Sequence, residues 1–207
     1  MKKPILEVED LSVFYGKKRN RRAVISDVSF AIHEGETVGL IGSSGAGKSS
    51  IARAILELEG DVTGTVRHHT NRPQIIFQDP HSSLNPRMTV ANLVEEPLVI
   101  AKVQDKTKRR AQVVEMLEQV GLDARYLSRY PRELSGGQRQ RVAIAAALIA
   151  RPKLLIADEP LSAVDSEMQE QIVELLGKLQ RDMGLSMLLI AHDLQLVERI
   201  CDRVVRV

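Results

Sequence analysis

The chain has 207 residues, enough for one domain with a subdomain and for a core that needs no disulfide or metal staple. Lys plus Arg number 29 and Asp plus Glu 27; the formal charge of +2 argues against a nucleic-acid-binding coat and against an acidic tail. Aromatic residues make up 3%, with no Trp, which disfavours stacking platforms for single strands and aromatic sugar clefts.

Met1-Lys2-Lys3-Pro4 runs into Glu7, Glu9 and Asp10, so no signal-peptide core follows. Leu6 and Val8 alternate with Glu7 and Glu9, as in a half-buried strand. Val28, Phe30 and Ile32 repeat the pattern, and Gly35-Glu36 turns the chain. Val38 to Ile41 is apolar throughout, which suits a strand covered on both faces. A Gly/Ser-rich stretch leads into a helix from about Lys48 to Leu58, then short strands at Val62–Val66 and Gln74–Phe77. Pro80, Pro86 and Pro97 punctuate the middle. Val113, Leu117 and Val120 recur at helical spacing, and Gly121 suits the left-handed helix end. A further helix is expected from Ser135 to Ile149. Its apolar run, Val142 to Ala150, is far too short to cross a membrane. Beyond Pro152, buried strands at Leu154–Ala157 and Ser186–Ala191 alternate with helices at Ser166–Gln180 and Leu194–Ile200, and a strand starts at Val204. Strand and helix in alternation imply a parallel sheet. Cys201, the single cysteine, excludes a disulfide framework and a thiolate metal cage; it reads as a packed apolar residue in a reducing compartment.

Gly42-Ser43-Ser44-Gly45-Ala46-Gly47-Lys48-Ser49 matches G-x-x-x-x-G-K-[ST] between an apolar strand and a helix, with Ser50 next to it. The glycines let backbone N–H groups turn toward phosphate oxygens, and the helix N-terminus adds partial positive charge. Lys48 can reach the β- and γ-phosphates, and the Ser49 hydroxyl can ligate Mg²⁺. Asp158 and Glu159 stand at the exit of a buried strand, the end at which open α/β sheets bind ligands. Asp158 is then placed for Mg²⁺, directly or through water, and Glu159 for the proton of an attacking water.

Leu134-Ser135-Gly136-Gly137-Gln138 stands upstream of that strand. Ser135-x-x-Gln138 is a capping-box pattern opening a second helix N-terminus. With these residues the chain resembles the ATP-binding subunits of ABC transporters over about residues 5–207. The resemblance implies an α/β fold: a P-loop NTPase core with a mostly parallel sheet, N-terminal antiparallel strands and an inserted helical subdomain. Residues 1–78 and 151–207 would form the core, and 79–150 the helical signature subdomain. It also implies ATP and Mg²⁺ as cofactors. The signature residues Ser135, Gly136, Gly137 and Gln138 of one subunit would close over ATP on the P-loop of another, head to tail. Gln78 matches the Q-loop glutamine that senses Mg²⁺ and the attacking water. Ser162-Ala163-Val164-Asp165 matches the D-loop, with Val164 where Leu is usual and Asp165 as its carboxylate. His192 matches the switch histidine at the γ-phosphate. Tyr15 matches the aromatic that stacks on adenine, and one of Phe14 and Tyr15 is expected in the core.

The run Phe77-Gln78-Asp79-Pro80-His81-Ser82-Ser83-Leu84-Asn85-Pro86 resembles the peptide/nickel importer branch, as do Tyr130-Pro131-Arg132-Glu133 and Ile200-Cys201-Asp202-Arg203. The resemblance implies a second ABC ATPase subunit (a homo- or heterodimer), two membrane-spanning permease subunits and an extracytoplasmic substrate-binding protein. It implies a peripheral position on the cytoplasmic face of the inner membrane and no nucleic-acid partner. The Q-loop lobe would meet a short coupling helix of the membrane subunit. The alternative is a soluble ABC-type ATPase of a non-transport complex, such as a carbon–phosphorus lyase accessory protein. Family members continue for tens of residues beyond the strand at Val204, so the resemblance implies a compact or shortened chain. The basic runs Lys17-Lys18-Arg19 with Arg21-Arg22, and Lys106 with Lys108-Arg109-Arg110, read as solvated surface or as contacts with the inner leaflet or membrane subunit.

Overall fold

A computed structural model describes residues 3–16, 20–71, 73–79, 83–162, 165–192 and 194–207, with the backbone alone at 166, 195 and 196. Lys17, Lys18 and Arg19 of the first basic run, Pro80, His81 and Ser82, and Ala163 and Val164 of the D-loop fall outside the described residues. The chain divides into two compact units. One comprises 1–73, 153–159 and 184–207; the other comprises 74–152 and 160–183.

The first unit contains two sheets. Strands β1 (Pro4–Tyr15), β2 (Arg22–His33) and β4 (Val62–His68) form an antiparallel sheet with β1 in the centre. Leu6, Val8, Leu11 and Val13 bury one side of β1. The strand is bulged between Val8 and Leu11. Ser29 Oγ accepts the Asp10 N–H at 2.8 Å, and Ser12 Oγ accepts the Asp27 N–H at 3.0 Å, so side chains satisfy backbone donors that the irregular ladder leaves over.

The second sheet is parallel. Its strands in this unit are β3 (Thr37–Ile41), β6 (Leu154–Asp158), β7 (Ser186–Ile190) and β8 (Arg203–Arg206), ordered β6-β7-β3-β8. β6 and β7 are buried at every position, as their unbroken apolar runs predict. The register is the feature that matters for function. Ile190 pairs with Leu40 on one side and with Asp158 on the other. The carboxyl ends of β3, β7 and β6 are therefore level. Helix α1 (Lys48–Ile55) leaves β3 through the glycine loop. Asp202 Oδ2 accepts the Thr37 N–H at 2.8 Å, and Arg203 Nε donates to Glu36 Oε1 at 2.6 Å. Burial would raise the Glu36 carboxyl, but hydrogen bonds from the His33 N–H and from Arg203 outweigh it and hold it below the usual carboxylate range. The Asp202-Arg203 pair thus clamps the start of β3.

Among its described residues the second unit holds the short strand β5 (Gln74–Ile76) and the α-helices α2 (Val90–Ile100), α3 (Lys106–Gln119), α4 (Gly136–Leu148) and α5 (Ser166–Met183). Helix α6 (Leu194–Ile200) belongs to the first unit. Asp105 caps α3 by accepting the Lys108 N–H, and Gly121 follows the helix at φ 76°. Val113, Leu117 and Val120 are fully buried.

The second basic run is split by the fold. Lys106 and Lys108 are exposed. Arg109 instead crosses to α2, where Nε donates to Glu95 Oε1 at 2.8 Å and Nη1 to the Val103 carbonyl at 2.6 Å. The Glu95 and Arg109 side chains are 9% and 15% exposed, so this pair is largely desolvated. Removing one partner of such a pair strands the other charge. Glu95→Ala should lower the unfolding free energy by about 3 kcal/mol, a fall in Tm of roughly 9 °C in a thermal melt; an unchanged Tm would show that the pair is solvated.

Candidate nucleotide site

The glycine loop joins the buried end of β3 to α1. Gly45 and Gly47 have φ of +79° and +86°, which side-chain-bearing residues adopt only with strain. Gly47 is the N-cap of α1 and offers no side-chain acceptor, and the first turn of α1 carries no acid. The leading amides of α1 are thus uncapped by side chains, the arrangement that receives an anion. Lys48 is buried, at 5% exposure. Its Nζ arches back over the loop and donates to the Gly42 and Ser43 carbonyls, each at 3.0 Å. An ammonium has three donors, so one remains for a phosphate oxygen.

Ser49 is the next residue of α1, and its Oγ donates to Asp158 Oδ1 at 3.0 Å. Asp158 closes β6 and is 6% exposed. Burial pushes its carboxyl above the usual carboxylate range, and the Ser49 hydrogen bond only partly offsets this. A hydroxyl and a carboxylate held together are hard oxygen donors of the kind Mg²⁺ takes, and a dication there would relieve the buried charge. Glu159 follows with φ 45°, immediately before Pro160. Its N–H donates to the Ile190 carbonyl at 3.0 Å, which ties the exit of β6 to the last residue of β7. A non-glycine residue at positive φ costs about 1 kcal/mol and persists where the surroundings impose it, commonly at functional sites. His192 is exposed two residues beyond β7. Gly42–Ser50, Asp158, Glu159 and His192 therefore all emerge at the level carboxyl edge of one sheet.

Tyr15 lies at the end of β1, 42% exposed. Its hydroxyl donates to Glu59 Oε1 and lies 3.4 Å from Ser50 Oγ. Phe14 is half-buried, with the Arg21 guanidinium 3.5 Å above its ring and held there by two 2.9 Å bonds to Asp61. Neither ring joins the core, contrary to the expectation for one of them. An arginine clamp takes the place of apolar cover. Glu59 lies outside any motif, and Arg21, read from sequence only as part of a basic run, pairs with Asp61 and covers Phe14. Cys201 is packed as expected: burial pushes its thiol up to about 12, and its Sγ lies 3.1 Å from where a Gly39 Cβ would sit.

Gln78, the signature and Asp165 belong to the second unit. There Ser135 caps α4. Its Oγ accepts the Gln138 N–H at 3.3 Å, and Gln138 Oε1 accepts the Ser135 N–H at 3.0 Å, completing the expected capping box. Gln138 Nε2 also donates to the Tyr126 hydroxyl at 3.0 Å, and Arg139 Nη1 donates to the Leu134 carbonyl at 2.7 Å, two supports that no motif announces. Asp165 Oδ1 accepts the Met168 N–H at 3.0 Å, and Ser162 Oγ donates to the Gln78 carbonyl at 3.3 Å.

A phosphate cradle, a buried hydroxyl–carboxylate pair and a level parallel sheet define a P-loop nucleotide-binding cassette. The family described as ABC transporter matches residues 25–162. The oligopeptide transport ATP-binding protein OppF of Streptococcus mutans is 45% identical over 98% of this chain and 71% of its own length. The dipeptide transport ATP-binding protein DppF of Lactococcus lactis is 43% identical over 98% of this chain and 71% of its own. Among solved structures, the dimeric post-hydrolysis ATP-binding cassette MJ0796, bound to ADP and Pi, superposes with a TM-score of 0.84 at 30% identity, covering 98% of this chain and 94% of that one. The chain belongs to the ABC transporter family. It spans about two thirds of the length of its curated relatives, from 63% to 72%.

The raised Asp158 carboxyl has a consequence for stability. Its folded pKa lies above the unfolded value, so its contribution falls as pH rises through that window and is adverse at neutral pH. Asp158→Asn keeps a carbonyl acceptor for Ser49 and removes the charge. Without nucleotide and metal its Tm at pH 7 should rise by about 2 °C, while Mg²⁺-dependent stabilisation by ATP is lost. A lower Tm, or an intact Mg²⁺ effect, would count against the assignment.

Proposed function

We propose that this chain is the ATP-hydrolysing subunit of an importer of the peptide/nickel branch, with peptides as cargo. The observation that carries it is the uncapped helix N-terminus with buried Lys48 above it and the Ser49–Asp158 pair beside it. The names of the relatives support peptide over nickel. In this reading the backbone N–H groups of Gly42–Ser50 bind the phosphates, and Tyr15 stacks on adenine. Ser49 and Asp158 would hold Mg²⁺, which when bound neutralises charge on the phosphate oxygens. Glu159 accepts a proton from the attacking water. Gln78 and His192 take their family roles at the metal and water and at the γ-phosphate. Ser135, Gly136, Gly137, Gln138 and Asp165 act on the ATP of a second ABC ATPase subunit.

The membrane partners belong to the same reading. Among the described residues no helix is long and apolar enough to cross a membrane; in this reading two permease subunits supply the spanning helices. The second unit carries a groove of about 170 Å³ whose lining mixes apolar residues such as Ile75, Phe77 and Leu93 with the polar Gln74, Ser83 and Glu96. It includes Phe77, the residue before Gln78, and in this reading it is where the Q-loop lobe meets the permease. An extracytoplasmic binding protein delivers the cargo, and this subunit sits on the cytoplasmic face.

Glu159→Gln keeps shape and loses the basic group. It should bind ATP as tightly as the unaltered protein, lower kcat at least about a hundredfold and accumulate as an ATP-bound dimer on size exclusion. Retained turnover would remove Glu159 from the reaction. Affinity purification from membranes should recover two multi-span proteins; recovery of soluble partners alone would favour the non-transport alternative.

A further inference from the structure

The signature helix and the helix behind the D-loop approach closely at their first turns. A Cβ built on Gly137 would lie 2.5 Å from Met168 Sδ, 2.6 Å from its Cε and 2.9 Å from its Cγ. Separations under 3.0 Å are essentially never seen for real Cβ atoms, so a side chain at 137 would displace the flexible end of Met168 from where it now packs. Gly137 is buried in the first turn of α4, and Met168 is half-buried in the first turn of α5. The Met168 N–H is the donor that Asp165 accepts. The D-loop carboxylate therefore fixes the helical turn that carries Met168, and Met168 in turn abuts the turn that carries the signature amides. Two neighbouring bonds stiffen this block. Gln169 Nε2 donates to the Leu161 carbonyl at 3.1 Å, and Arg141 Nη2 of α4 donates to Gln171 Oε1 of α5 at 3.1 Å. On its other side the D-loop reaches the Q-loop through Ser162 and the Gln78 carbonyl.

We propose that Met168 is a positioning residue that couples the D-loop to the signature helix, and that Gly137 is glycine in order to admit its thioether. The inference rests on the reading of this chain as an ABC ATPase subunit. A thioether packed at van der Waals distance transmits a push but adapts its torsions, so it couples two helix ends without a directional bond. A displacement of Asp165 moves the first turn of α5, and the turn bearing Gly137 and Gln138 follows. The close approach also gives the second signature glycine a purpose within its own subunit, separate from any contact it makes with nucleotide.

The test uses the full chain and two readouts. In hydrogen exchange, Met168→Ala should speed exchange of the Gln138 and Arg139 amides about tenfold, leave the Ile51 amide of α1 unchanged, and leave monomer ATP affinity unchanged. Met168→Leu, of similar volume, should retain the native exchange rates. In the Glu159→Gln background, Gly137→Ala should weaken ATP-driven association at least about tenfold, and Gly137→Ala with Met168→Ala should be no weaker than Met168→Ala alone. Native exchange at Gln138 and Arg139 in Met168→Ala, or a double variant as impaired as the two losses combined, overturns the proposal. If Glu159→Gln does not associate with ATP at all, the dimer-forming ATPase reading fails, and the exchange measurement still decides the role of Met168.

Discussion

The level register of three buried parallel strands is the constraint on which the rest of the site depends. Ile190 pairs with both Leu40 and Asp158, so the exits of β3, β7 and β6 lie at one height. A shift of one residue in either pairing would move Asp158 about 3.3 Å along its strand and reverse the face on which its side chain lies. The 3.0 Å bond from Ser49 could then not form. The apolar runs Val38–Ile41, Leu154–Ala157 and Met187–Ile190 enforce that height, because any slip would bury polar flanks and expose core residues. Asp202 and Arg203 add a polar stop at the other end of β3.

On this apolar frame the site places groups that are costly to bury. Lys48 and Asp158 are both nearly inaccessible, and burial disfavours the ionised form of the Asp158 carboxyl. Hydrogen bonds to two carbonyls and to one hydroxyl satisfy part of their need. The remaining ammonium donor and carboxylate acceptor positions are chemically suited to a phosphate oxygen and a dication. Glu159 adds backbone strain at the same edge. Such costs collect where chemistry is done, because a ligand that completes the missing interactions recovers them in binding.

The second unit solves a different problem, that of presenting a helix N-terminus stiffly at the surface. Ser135 and Gln138 satisfy each other's backbone donors, Tyr126 and Arg139 anchor the turn, and Met168 supports it from behind. All of these are short-range or van der Waals contacts within one helical unit. The basic residues of α3 illustrate the same economy: Arg109 is spent on Glu95 inside the unit, while Lys106 and Lys108 remain at the surface.

Much of the site was legible before any coordinates, because its physics is local. A phosphate loop, an acid at a strand exit and a capping box each need particular residue types at fixed spacing, and Gly47, Lys48, Ser49, Asp158, Ser135 and Gln138 carry those patterns in full. The strand order could not be read in the same way, since β7 intervenes between β3 and β6 although it follows both in the chain. Phe14, Arg21, Glu59 and Met168 were equally opaque, because their partners lie far along the chain or outside any motif. The amino-acid sequence by itself determined which residues carry the phosphate-loop, acidic and capping patterns and about where helices and strands begin, through spacing, capping and hydrophobic period. Only the tertiary structure decided which of those groups share an edge, which charges are desolvated and why Gly137 has no side chain, because register, burial and close approach are properties of packed neighbours.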